Sequence, residues 1–229
     1  VNLTYNQATG ANYPFDDVSR RAFRDWGTIS LLVRTGKSSY HGLQTSFMKR
    51  MSNRWQGSAT YTLSALKDAE SMPFSGMAPV PFATAPDMGG EWAYSVSDQR
   101  HRFVFNGIWQ VIGGFQVSGL VYHGSGNRDA GIWGGDLRNT GADFSMRLRP
   151  NGTIVPRNEF EQPAENRADV RLQQRVPFGG GVELDVMAEV FNIFNANNFS
   201  LISEKGRSDY NKPETGQYRT MQFGFRLGF

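Results

Sequence analysis

Apolar and polar residues alternate with a period of two along RWQGSATYTLSAL. Trp55, Gly57, Ala59, Tyr61, Leu63 and Ala65 fall on one face, and Gln56, Ser58, Thr60, Thr62 and Ser64 on the other. That is strand periodicity, sustained for longer than most soluble strands. The preceding SSYHGLQTSFMKRMS sets Leu43, Phe47 and Met51 against Gln44, Ser46 and Arg50, and Ser52-Asn53 supplies a tight turn, so the two segments predict a hairpin. A second hairpin is predicted where Phe103, Phe105, Gly107, Trp109 and Val111 oppose Arg102, Asn106 and Gln110. The turn Ile112-Gly113-Gly114 then leads to Phe115, Val117, Gly119 and Val121. A third joins Ala168, Val170, Leu172 and Val176, with Arg167, Asp169, Arg171, Gln173 and Arg175 opposite, through Pro177 to Gly181. Beyond that turn Val182, Leu184, Val186, Ala188 and Val190 oppose Glu183, Asp185 and Glu189. The last segment, YRTMQFGFRLGF, puts Met221, Phe223, Phe225, Leu227 and Phe229 against Thr220, Gln222 and Arg226.

These patterns predict seven long strands at 40–51, 54–66, 100–111, 115–123, 167–176, 182–191 and 218–229, with a short rim strand at Thr28 to Arg34. The connections alternate between tight turns and loops of tens of residues at 67–98, 123–166 and 193–217. Loops of that length are uncommon in a compact soluble domain, whereas an outer-membrane barrel has short periplasmic turns and long extracellular loops. Trp55, Trp109 and Phe115 lie on the apolar face beside short turns, where an interfacial girdle belongs. The expected fold is therefore all-β, an antiparallel transmembrane β-barrel segment. Residues 1–39 form an extracellular loop region with the rim strand, and residues 40–229 form the barrel strands. An odd strand count does not close the usual even-stranded bacterial barrel, so further strands are expected before Val1.

Composition narrows the reading without changing it. No stretch of ~18–20 apolar residues is present to form a spanning helix. A mean hydropathy of -0.47 is compatible with a barrel, because only one face of each strand meets lipid. The 24 basic and 21 acidic residues leave a net charge of +3, scattered along the chain, so nucleic acid is not an expected partner. The absence of cysteine removes disulfide frameworks and thiolate metal sites.

Candidate chemistry is sparse. Glu183, Asp185 and Glu189 share one strand face and oppose Arg167, Arg171 and Arg175, which reads as a lumenal charge ladder including Asp169 in preference to an acid/base or cation site. If residues 176 and 182 pair, Arg175 opposes Glu183 and Asp169 opposes Glu189. His41, His101 and His123 are too widely spaced for a metal motif, although all three fall at outer strand ends. Gly124-Ser125-Gly126 lacks the context of a phosphate loop or nucleophile elbow. FNIFNANNF (Phe191 to Phe199) reads as a rim turn. Met72, Phe74, Met77, Phe82, Met88 and Trp92 give the loop 67–98 an adaptable apolar surface for a ligand or a neighbouring loop. No cofactor, metal or enzymatic activity is expected.

The ordered series SSYHGLQTSFMKRMSNRWQGSATYTLS, SDQRHRFVFNGIW, ADVRLQQRV and AEVFNIFNANNF, closed by a strand ending in Phe, resembles the C-terminal barrel of TonB-dependent outer-membrane receptors of the Oar-like branch, which carries a carboxypeptidase-regulatory-like domain. The resemblance spans residues 26 to 229. It implies a barrel of about 22 strands in a Gram-negative outer membrane, occluded by a plug, that takes up a bulky scarce ligand such as a siderophore or oligosaccharide. TonB would act through the parent chain, whose plug and remaining strands are not in this sequence. It further implies that Phe225, Leu227 and Phe229 signal to the barrel-assembly machinery. The alternatives are a small outer-membrane barrel with a structural, adhesive or passive-pore role and a soluble all-β ligand-binding module.

Overall fold

The computed structural model describes residues 5–14, 23–25, 36–69, 91–129, 131–135, 137, 147, 149–153 and 155–229. The expected rim strand at Thr28 to Arg34 and the loop residues Met72, Phe74, Met77, Phe82 and Met88 lie outside them.

Seven long strands form one antiparallel sheet in which every sequence neighbour is a spatial neighbour. They are β1 (Ser38–Ser52), β2 (Trp55–Asp68), β3 (His101–Ile112), β4 (Phe115–Gly124), β5 (Glu165–Gly179), β6 (Val182–Phe191) and β7 (Thr220–Gly228). The shortest has 9 residues and the longest 15, against the ~9–11 needed by a tilted strand to cross a bilayer's hydrocarbon core. Among the described residues β1 and β7 are the two sheet edges and do not pair with each other.

The short hairpins share one construction. Each turns through two residues of positive φ: Asn53 and Arg54 (53° and 67°), Gly113 and Gly114 (57° and 79°), and Gly180 and Gly181 (62° and 86°). Such pairs build the turn whose twist matches that of paired strands. The first turn thus falls one residue beyond the expected Ser52-Asn53, because β1 continues through Ser52. Just before each turn the first strand carries one extra residue, between Lys49 and Ser52, Gln110 and Ile112, and Pro177 and Gly179.

That bulge keeps the faces in register. A two-residue loop alone would set Leu43 against Ser64, Trp109 against Ser118 and Arg175 against Val186, because a one-residue slip turns every side chain over. With the bulge their partners are Leu63, Val117 and Asp185. The same device corrects the expected register of the third hairpin. The strand runs on to Gly179, so Arg175 faces Asp185 instead of Glu183, and Arg171 instead of Asp169 faces Glu189. The like-charge pair of Asp169 with Glu189 does not form.

The apolar face is continuous across the sheet. One row runs Trp55, Trp109, Val117 and Leu172 to Ala188 and Phe223, each directly opposite the next. This face is not a core. Phe47 is 64% exposed and Phe223 and Phe225 are each 82% exposed, whereas Ala69, Val155, Phe160 and Ala168 are the only buried apolar residues among those described. A soluble sheet covers such a face, since each Å² removed from water is worth ~25 cal/mol. A contiguous apolar surface of this extent marks an interaction surface.

Candidate functional site

The polar face divides into two chemically different halves. On β2 to β4 it is built mainly of neutral side chains such as Gln56, Ser58, Thr60, Thr62, Asn106, Gln110 and Gln116, with Ser58 Oγ donating to Asn106 Oδ1 at 3.1 Å. β4 holds no Asp, Glu, Lys or Arg, and β3 holds only Arg102. On β5 to β7 the face is ionic. Arg175 Nε lies 3.0 Å from Asp185 and 3.7 Å from Glu183, Arg171 lies 3.6 Å from Glu189, and Arg167 Nε donates to both Asp169 oxygens at 2.9 and 2.8 Å. Arg226 of β7 directly faces Asp185 across the ladder, and Gln222 donates to Glu189. Asp169 also accepts the Asn192 backbone N–H at 2.9 Å, which ties the ionic half to the start of the third long loop.

Each of these carboxylates is thus engaged by a guanidinium or an amide, an arrangement that balances charge along this face. Among the described residues no group of three or more His, Asp or Glu side chains is placed to hold a metal ion. The three histidines have separate partners at the long-loop end: Ser39 Oγ for His41 (3.1 Å), Tyr61 Oη for His101 (2.8 Å) and Asn166 Oδ1 for His123 (2.7 Å).

On the apolar face, Trp55 and Trp109 are direct cross-strand partners, and Phe115 pairs with Ile112 and Gln174 beside the second short turn. Lys49 closes the first turn. Its ammonium donates to Ser52 O (2.9 Å), Ser52 Oγ (2.7 Å) and Trp55 O (3.1 Å) and sits 4.0 Å above the Trp55 ring, so a cation and an aromatic share the strand ends. Between the Trp109 and Phe105 rings, Gly107 and Gly119 leave a shallow groove of about 370 Å³. On β7, Phe225 opposes Val186 and Leu227 opposes Leu184, while Phe229 lies one residue past the strand and is fully exposed.

The long-loop end is where polar and apolar groups are buried together. The strands continue as short ladders: Ala93–Tyr94 on the end of β2, Arg128–Asp129 with Phe160–Glu161, and Asn198–Leu201 with Pro213–Gln217. Long-range contacts tie the loops to one another. Arg157 forms a 2.5 Å ion pair with Asp68 and donates to the Asp68 and Glu91 carbonyls at 2.8 and 3.1 Å, Arg147 pairs with Glu91, and Asn158 Nδ2 donates to Tyr94 O at 2.9 Å. Gln162 joins the second loop to the third, donating to Asp129 and Leu201 O at 3.0 Å each and accepting Leu201 N–H at 2.8 Å. Phe160 meets Tyr210 edge-on at 5.8 Å. The Asn-rich segment is a rim turn, with Asn192 and Asn195 in the left-handed region and Asn192 bonded to Ala196 N–H and O.

None of Asp68, Glu91, Arg147, Arg157 or Gln162 stood out in the sequence. Their partners are 33 to 89 residues away in the chain, and no local spacing encodes them. Between the second and third loops, next to Gln162, lies a cavity of about 360 Å³ whose lining includes Gln99, Asn127, Glu165, Ser200, Thr215 and Gln217.

Residues 1–153 match the family model described as an outer membrane beta barrel domain. No curated protein and no solved structure matches the chain.

Proposed function

Because the chain belongs to the outer membrane beta barrel domain family, we propose that it forms part of the wall and ligand-capturing rim of a TonB-dependent receptor that takes up a bulky, scarce ligand. The family places the protein in the outer membrane of a Gram-negative bacterium, in contact with its lipid. The apolar face then meets hydrocarbon, the polar face lines the lumen, and the long loops lie outside the cell. The observation that supports a receptor over a passive pore is the long-loop end itself. Three loops are cross-tied by buried ion pairs and by amide hydrogen bonds from Gln162, which also lines a cavity between the second and third loops; a preformed capture surface needs such ties and an open entrance does not.

Among the described residues the outer edges of β1 and β7 are unpaired, which would leave backbone groups unsatisfied in lipid; we propose that further strands complete the wall, and, as part of the receptor reading, that a plug closes it. The outward row of Phe225, Leu227 and Phe229 is the proposed contact for the assembly machinery, and the role is transport without catalysis. The test is conductance of the full-length protein in planar bilayers, paired with photo-crosslinking to TonB in cells. A closed barrel that crosslinks to TonB is expected. A steadily conducting barrel with no crosslink would point to the passive-pore alternative.

A further inference from the structure

The cavity of about 360 Å³ at the long-loop end falls within the ordinary ~300–1,000 Å³ range of small-ligand sites and, like them, combines apolar surface with a set of convergent polar side chains. We infer that it is a subsite for a neutral, polyhydroxylated ligand, a saccharide; this rests on the receptor reading above, whose ligand class it narrows.

The lining side chains fall into two groups. Those of Gln162 and Asn198 are committed to the scaffold. Gln162 uses both ends of its amide on Leu201 and Asp129, and Asn198 Oδ1 and Nδ2 close a pair with Asn166 N and O at 2.9 and 2.7 Å. They fix the walls and have little left to offer a ligand. The second group is uncommitted. Among the described residues, the Asn127 and Gln217 amides and the Glu165 carboxylate make no side-chain hydrogen bond. Gln99 uses only its Nε2, leaving Oε1, and Ser200 and Thr215 are joined only to each other at 2.8 Å. In the Asn198–Leu201 and Pro213–Gln217 ladder, Ser200 pairs with Thr215 and Asn198 with Gln217. These hydroxyl and amide groups therefore share one face of that hairpin.

The chemistry on offer is amide donors and acceptors, two hydroxyls and one carboxylate, with no lysine or arginine in the lining. An anionic ligand would find no cation among these side chains and would meet Glu165, whose charge interacts with Arg167 outside the lining. A sugar hydroxyl both donates and accepts, so it suits amides and hydroxyls, and a carboxylate takes a charge-assisted bond from it. An apolar ligand would leave these groups unpaired.

The test is isothermal titration of the full-length protein in detergent with neutral hexasaccharides of glucose, xylose and galactose, an anionic hexagalacturonate, and a neutral hexaalanine amide. At least one neutral hexasaccharide should bind. Glu165→Gln and Asn127→Ala should each weaken it about tenfold, while Glu161→Gln at the same end of the barrel leaves it unchanged. Heat-modifiable gel mobility establishes that each variant is folded. Three results would each overturn the inference: no binding of any neutral hexasaccharide, tighter binding of hexagalacturonate or the peptide, or saccharide binding indifferent to both folded variants. A conducting barrel would remove the receptor reading without touching these titrations, and a closed, TonB-linked barrel that ignores saccharides would remove only this inference.

Discussion

The wall and the long-loop end are made by one chain under opposite rules. In the wall the apolar side chains point outward and are exposed, Phe223 and Phe225 most of all, while ionic groups such as Asp185 are enclosed on the other face. At the long-loop end Val155 and Phe160 are buried, and charged groups are enclosed with them as the pairs Asp68–Arg157 and Glu91–Arg147. The wall depends on lipid to cover its apolar face. The loop end makes its own small interior, as a water-soluble domain does. A change that is severe in one region is therefore expected to be mild in the other.

The largest effect is expected at the loop end. Arg157→Ala leaves the Asp68 carboxylate buried without its partner, at a cost of ~3–5 kcal/mol. That cost should appear as local opening of the loops, read as faster protease cleavage after Ala69, while the strands stay folded by heat-modifiable mobility. Joint loss of both would merge the two regions into one cooperative unit. Next comes the lipid face. Val186→Arg, opposite Phe225, should cost ~2–4 kcal/mol near the midplane in denaturant titrations of the full barrel in vesicles, with loop protease resistance unchanged. Leu63→Arg should behave alike. On the polar face of β2, Thr62→Arg and Thr60→Arg should cost under ~1 kcal/mol in the same titration. Equal costs on the two faces would remove the lipid boundary from the account.

The smallest expected effect is a pH dependence in the third loop. Arg207 donates twice to Asp209, at 2.8 Å each, and this bond holds the Asp209 carboxyl below the usual carboxylate range. Its contribution is thus present above the unfolded value near pH ~3.9 and is lost as pH falls through the lower folded value. Cleavage of the 204–212 turn by an acid-active protease should rise at that low pH in the parent protein, and Asp209→Asn should flatten the dependence.

The same contrast governs what the sequence reveals. All seven wall strands were readable because alternation such as Trp55, Gly57, Ala59, Tyr61 against Gln56, Ser58, Thr60, Thr62 is a local signal. The turn glycines at 113–114 and 180–181 punctuate it. The register of the third hairpin was not readable, because Pro177 to Gly181 resembles a five-residue loop. Only the backbone shows the strand running to Gly179 with a bulge that brings Arg175 to Asp185. The loop end was the least legible region. Asp68 meets Arg157 across 89 residues, and a pair of that separation leaves no periodicity. The candidate cavity follows from the same long-range packing, so Asn127, Gln162 and Glu165 carried no motif to mark them.

Contact with lipid on one face of each wall strand and with water on the other is tested most directly on β6. The chain contains no cysteine, so single cysteines placed along β6 from Glu183 to Val190 report each position without background from this segment. A water-soluble, membrane-impermeant maleimide applied to the vesicle-inserted full-length protein should label positions 183, 185, 187 and 189 and spare 184, 186, 188 and 190. Uniform labelling along the strand, or protection of the odd positions with labelling of the even ones, would contradict the account.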